Sequence, residues 1–299
     1  MKIGKTVHDM PELTLHAASI VKAVMEHDRR VLLFGPMGVG KSTLAAQLAK
    51  VLSELERTCC CLNADPGSPA FGVPGSVSTA VWRDDSWQVT NIAALCTLDA
   101  GRFRLPLVSA VRMLAQQLPT GMVLIDAPGV VRGVSGRELL QSLVEATAVD
   151  VILALTAADR PPPLLEELRA LPPDVFVVSA AVEAKRPGKR TRARQRTGQW
   201  DACLANATEQ TLDLAGLNVT GTPPLPAESS AWAGKQLALL QADRTLAMGE
   251  VLHIEDDRLM VVLTAEAGDA DTLLIRDAAR SIDGYLETAK PYAAERLDY

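Results

Sequence analysis

The chain has 299 residues, 48% of them hydrophobic but only 4% aromatic, with a formal net charge of −6. That supports one large domain, or a domain plus a small one, with a core of Leu, Val, Ala and Ile, and it excludes a general polyanion-binding protein: any nucleic-acid contact has to come from a local basic patch. No apolar run reaches the roughly 18–20 residues of a membrane span, the opening MKIGKTVHDMPELT lacks a signal-peptide core, and the five cysteines, three of them consecutive at 59–61, read as small buried hydrophobes, so the expectation is a cytoplasmic protein with no membrane partner.

In chain order, an amphipathic helix is expected over roughly 13–25, packed on a sheet. From residue 30, short apolar runs alternate with helical patterns. Strands are expected at 30–34, 58–63, 122–126, 150–155 and 174–178, and helices at 41–52, 107–118, 136–147 and 163–170. Strands separated by helices of this length imply right-handed crossovers and a mainly parallel sheet covered on both faces, with ligands at the carboxyl ends of the strands. A basic segment follows, KRPGKRTRARQR at 185–196, with seven basic residues of twelve and no acid. Beyond GTPPLP (221–226) the pattern shortens and alternates, which predicts a small β-rich subdomain. The expected division is a larger α/β domain over 1–228, with the basic segment as a lid at about 185–200, and a β-rich subdomain over 229–299.

Gly35, Pro36, Met37, Gly38, Val39, Gly40, Lys41, Ser42 and Thr43 spell GPMGVGKST, which fits G-x-x-x-x-G-K-[ST] between an apolar strand and a helix. Gly38 and Gly40 let the backbone turn its N–H groups inward, toward the oxygens of a bound phosphate. Lys41 reaches the β- and γ-phosphates, and Ser42 offers its hydroxyl to Mg²⁺. Nucleoside triphosphate binding by these nine residues is therefore the expectation.

Two acids end neighbouring strands. Asp65, in NADPGS, can orient a magnesium-bound water or accept a proton from an attacking hydroxyl, and Asp-Pro-Gly is also good turn chemistry by itself. Asp126, in VLIDAPG, reads as a Walker B carboxylate, as the acid of a GTPase switch, or as a helix N-cap. The GTPase reading lacks an Asn-Lys-x-Asp motif. Ser42, Asp65 and Asp126 are the candidate metal ligands. The stretch FGVPGSVS at 71–78 reads as a shaped loop over the site or an ordinary linker. In the basic segment, Arg190 and Arg194, or Arg192 and Arg196, share one face if it is helical. Arginines there would brace a phosphoryl group or touch a polyanionic substrate. Trp200 can stack on a base or serve the core.

Together these motifs resemble the polynucleotide 5′-hydroxyl kinase family, which includes the kinase subunit of the pre-mRNA cleavage factor and ribosomal-RNA-processing kinases. The likeness extends over most of the chain. It is to a short form of bacterial or archaeal kind, with about 30 residues before the first strand in place of the eukaryotic N-terminal β domain. The family's D-x-D-x-G-Q is matched by Asn63-Ala64-Asp65-Pro66-Gly67-Ser68, its P-G-x-x-S by 74–78, its N-T-x-G-W-x-x-G clasp by 126–133 and its lid R-x-x-x-R by the 190–196 cluster. The sequence departs from that pattern at Asn63, Ser68, Val130 and Asp126. The resemblance implies a P-loop NTPase three-layer α/β fold and an ATP- and Mg²⁺-dependent kinase. In that reading Lys41 and Ser42 hold ATP and Mg²⁺, Asp65 activates the hydroxyl, the backbone around Gly129 clasps the substrate or lid side, and Arg190 and Arg194 brace the phosphoryl group. The implied acceptor is the 5′-hydroxyl of RNA or DNA, held by the basic lid. The alternatives are a kinase of a small hydroxylated metabolite and a slow regulatory NTP-binding module.

Overall fold

The computed structural model describes residues 10–13, 16–25, 27–157, 160–180, 187–225 and 228–289. Its first part runs β1 (Glu12–Leu13), α1 (Ala17–Val24), β2 (Arg30–Phe34), α2 (Lys41–Glu54), β3 (Cys59–Asn63), β4 (Ser76–Arg83), β5 (Ser86–Ala94), α3 (Arg104–Gln117), β6 (Met122–Asp126), α4 (Gly133–Thr147), β7 (Val151–Thr156), α5 (Leu165–Ala170) and β8 (Asp174–Ser179). The strands form one sheet in the order β1-β8-β7-β2-β6-β3-β4-β5, parallel from β1 to β3. The central runs VLLF, CCCLN, MVLID and VILALT are buried throughout, because helices cover both faces of a parallel sheet. Leu107, Val111, Leu139, Leu143 and Leu168 from α3, α4 and α5 fill one side. Ile20, Val24, Leu44, Leu48 and Leu52 from α1 and α2 fill the other. The three consecutive cysteines sit in β3 as free, buried thiols, and burial pushes all three thiols up, away from thiolate.

The chain leaves the expected βα alternation at 71–94. Residues 71–75 form a loop, and from Ser76 onward the chain forms a hairpin, β4 paired antiparallel to both β3 and β5. Its tight turn places Asp84 and Asp85 at φ of +52° and +56°, the geometry of the primed turns that match strand twist. Trp82 and Trp87 meet edge-to-face across the hairpin at 4.9 Å.

The rest of the chain forms α6 (Lys189–Leu204), β9 (Thr208–Asp213), β10 (Asn218–Gly221), α7 (Ser229–Trp232), β11 (Lys235–Gln241), β12 (Arg244–Glu255), β13 (Arg258–Leu263), β14 (Thr272–Arg280) and β15 (Leu286–Thr288). A second, seven-stranded sheet runs β10-β14-β11-β12-β13-β9, with β15 added on β14. Two of its strands, β9 and β10, come from before residue 229. The sheet has its own core around Leu237, Leu239, Val261 and Ile275. A separate cluster of Val73, Cys96, Trp200, Ala238, Met248, Leu274 and Leu286 joins it to the first sheet and to α6. Among the described residues, no helix is long and apolar enough to cross a membrane.

Candidate functional site

The site gathers where β2, β3 and β6 end side by side: Leu33 pairs with Asp126, and Asn63 pairs with Asp126 from the other flank. After Phe34 the chain turns sharply. A Cβ on Gly35 would lie 2.4 Å from the Leu155 carbonyl oxygen, so β7 approaches too closely for a side chain. Gly38 and Gly40 take φ of +87° and +93°, a region that favours glycine. Gly40 caps α2, which begins at Lys41, so the free N–H groups of the first helical turn open into the loop. Pro36 and Met37 are half-buried, Val39 is buried and Thr43 is exposed. Lys41 is buried, and its Nζ donates to the carbonyls of Gly35 at 3.0 Å and Pro36 at 3.3 Å.

Beside the loop, the Ser42 hydroxyl donates to Asp126 Oδ2 at 2.6 Å. Asp126 is 2% exposed, and its Oδ1 is buried with no hydrogen-bond partner. Burial pushes its carboxyl up to about 6; the Asp65 charge adds to the rise, while Lys41 and the Ser42 hydroxyl oppose it. An orphaned carboxylate oxygen next to a serine hydroxyl is a pair of hard oxygen donors, which fits Mg²⁺. Asp65 closes an Asx turn: its Oδ1 accepts from the N–H groups of Gly67 (3.0 Å) and Ser68 (3.1 Å). Both of these turn bonds go to Oδ1, so Oδ2 takes no part in the turn. Burial raises the Asp65 carboxyl, against the pull of Lys41, the two backbone N–H groups and Arg196. Asn63 is fully buried and wholly structural: Nδ2 donates to Phe71 O, and Oδ1 accepts from Asp65 N.

The basic segment is helical from Lys189; Lys185 and Arg186 lie outside the described residues. Its buried stripe is Ala193, Thr197 and Trp200, and this fixes which arginines face inward. Arg190 and Arg194, the expected pair, are exposed. Arg192 and Arg196, one position before the stripe, line a cleft of about 380 Å³ together with Met37, Asp65, Gly129 and Lys189. Arg192 Nη1 rests on Met37 Sδ at 3.0 Å, and its Nε is buried without a partner. Arg196 Nη1 donates to Gly67 O at 3.0 Å, two residues from Asp65. Across the cleft, a Cβ on Gly129 would come within 2.8 Å of Met37 N, so the segment after β6 packs directly on the phosphate loop. Both arginine pairs have the same four-residue spacing, so it is the packing of Ala193, Thr197 and Trp200 that selects Arg192 and Arg196. Nothing local pointed to Asp99 and Glu287, which line the same cleft from distant segments. Trp200 is fully buried and donates its Nε1 to Glu250, a core role.

A family model described as the P-loop of the mRNA cleavage and polyadenylation factor CLP1 matches residues 35–95. Over that stretch this chain is similar to the CLP1 P-loop. Two solved structures share its fold. The structure of the wild-type Clp1p–Pcf11p complex aligns at a TM-score of 0.70 and 13% identity, covering 87% of this chain and 76% of that one. A second, on the extended interface between Pcf11p and Clp1p and the structural basis for ATP loss in a glycine-to-arginine point mutant, aligns at 0.69 and 13%, covering 88% and 77%. The search of curated proteins matched none. The matched segment contains the phosphate loop, β3, Asp65 and the β4–β5 hairpin, so the CLP1-type likeness spans the antiparallel extension as well as the cradle. Outside that segment the likeness to the two solved structures, at 13% identity, is one of fold.

Proposed function

We propose that this CLP1-type protein transfers the γ-phosphate of ATP to a hydroxyl, with the 5′-hydroxyl of RNA or DNA as acceptor. The observation that carries the reading is Arg192: a guanidinium lies over the phosphate loop with its Nε buried and, among the described residues, without a hydrogen-bond partner. Such a group is suited to the equatorial oxygens of a transferring phosphoryl group. Lys41 and the opening N–H groups of α2 hold the β- and γ-phosphates. Ser42 and Asp126 would hold Mg²⁺, which supplies neutralising charge when bound. Asp65 Oδ1 is tied to the backbone, which orients Oδ2 to accept the acceptor's proton as its oxygen bonds to phosphorus and ADP leaves. Burial lifts the Asp65 carboxyl from its ordinary range toward the working pH of a base.

A second reading has an observation of its own. Asp99 and Glu287 join Asp65 around the cleft, and three carboxylates disfavour a phosphodiester backbone and suit a small hydroxylated acceptor. One experiment tests both. Protein and γ-labelled ATP are incubated with 5′-hydroxyl RNA, 5′-hydroxyl DNA and a panel of nucleosides and polyols. Label on the oligonucleotides supports the first acceptor, and label only on a small compound supports the second. Asp65→Asn should lower transfer by roughly 10²–10⁴-fold, the usual contribution of a positioned base. Transfer that survives Asp65→Asn within ten-fold removes Asp65 from that role.

A further inference from the structure

The lid helix does not stand free. Arg196 Nε donates to Leu286 O at 3.0 Å, and Leu286 N donates to Thr197 Oγ1 at 2.8 Å, so β15 holds the middle of α6. One turn on, Trp200 Nε1 donates to Glu250 Oε2 at 2.8 Å. Arg280 closes the cluster: its Nε donates to both Glu250 oxygens (2.9 and 3.1 Å), and its Nη2 donates to Asp201 at 2.9 Å. Glu250 lies on β12 and Arg280 on β14, so every one of these partners of α6 belongs to the second sheet.

The opposite wall of the cleft is held by the same sheet. Gln236, on β11 and fully buried, donates its Nε2 to Pro74 O at 2.8 Å. The adjacent Gly75 donates its N–H to Pro66 O at 2.9 Å, beside Asp65. A Cβ on Gly75 would overlap Gln236 Oε1 at 1.9 Å, so this contact admits only glycine. Two walls that meet over the phosphate loop are thus both fastened to a body outside the nucleotide-binding sheet.

We infer that the second sheet sets the gap between the Asp65 turn and the lid arginines, with Glu250 as the positioning residue for the lid and Gln236 for the turn. Both act through other groups. This rests on the phosphotransfer reading for its kinetic consequence, because proximity in a reacting pair is sensitive to displacements of an ångström. It does not rest on that reading for its structural content. Glu250→Gln keeps an acceptor for Trp200 and removes the charge that holds Arg280.

The test is a double-mutant cycle on the full chain. Glu250→Gln should lower kcat about ten-fold and leave KM for ATP within about two-fold. In an Arg192→Ala background it should lower kcat by less than about two-fold, because a positioner has nothing left to position. The second arm is Gln236→Met, alone and with Asp65→Asn, with the same pattern expected. Additive losses in the cycle, or a Glu250→Gln enzyme of unchanged kcat, overturn the inference. Should Glu250→Gln fail to fold, Arg280→Lys replaces it, since that side chain is partly exposed and the change keeps its charge. Should the wild-type protein label no acceptor, the phosphotransfer reading is the one that fails. The positioning is then read by amide hydrogen exchange across 189–204: faster exchange in Glu250→Gln sustains it, and unchanged exchange overturns it.

Discussion

Asp126→Asn tests the electrostatics of the site through stability. Asp126 is 2% exposed, and burial moves its carboxyl from 3.8 to about 6. At about 1.36 kcal/mol per unit, holding it ionised at pH 7 costs the fold on the order of 3 kcal/mol. A carboxyl whose native pKa is raised binds its proton more tightly folded than unfolded. Stability therefore falls as pH rises from about 4 through about 6, then levels off. Asparagine carries no charge, and weakening the Ser42 hydrogen bond returns about 1 kcal/mol. The variant should gain about 2 kcal/mol at pH 7, a rise of about 0.7 M in the urea midpoint for an m-value of about 3 kcal/mol/M. At pH 4 the gain should vanish. Urea unfolding at both pH values is the assay. An asparagine variant no more stable at pH 7 than at pH 4, relative to wild type, refutes the reasoning. The same change should abolish Mg²⁺-dependent nucleotide binding, since a site that holds a metal keeps a charge its fold would shed.

The lid offers a sharp contrast within one helix. Arg192→Ala and Arg196→Ala should each lower phosphotransfer by on the order of 10²–10³-fold, whereas Arg190→Ala and Arg194→Ala, on the exposed face, should stay within about two-fold; steady-state kinetics that rank the four the other way discard the assignment. Gly129→Ala forces a methyl against the Met37 backbone, and ATP affinity by titration calorimetry should fall about ten-fold while the melting temperature holds within a few degrees.

Much of the first sheet was legible in the sequence. The strands at 30–34 and 122–126 have the expected bounds because a strand buried on both faces contains no interior polar residue to blur its ends. The phosphate loop was equally local, since glycine spacing, the preceding strand and the following helix all lie within about 20 residues. The hairpin over β4 and β5 went unread: 71–75 is the loop its glycines and proline suggest, but the strand that starts at Ser76 pairs with β3 and β5, contacts that no local composition marks. The lid face was readable but ambiguous, because two arginine pairs share the same spacing and only the packing of Ala193, Thr197 and Trp200 separates them.

What the sequence determined by itself is the chemistry at hand: a phosphate cradle, a serine and two strand-end acids, each specified by neighbours a few residues away. Only the tertiary structure decided which guanidinium groups lean over the cradle, that Asn63 is a scaffold, and that Gln236, Glu250 and Leu286 hold the two walls. Those contacts join segments separated by 50 to 162 positions in the chain. No local pattern encodes such pairings, because they arise when two separately cored sheets dock and leave their polar groups to find partners across the seam.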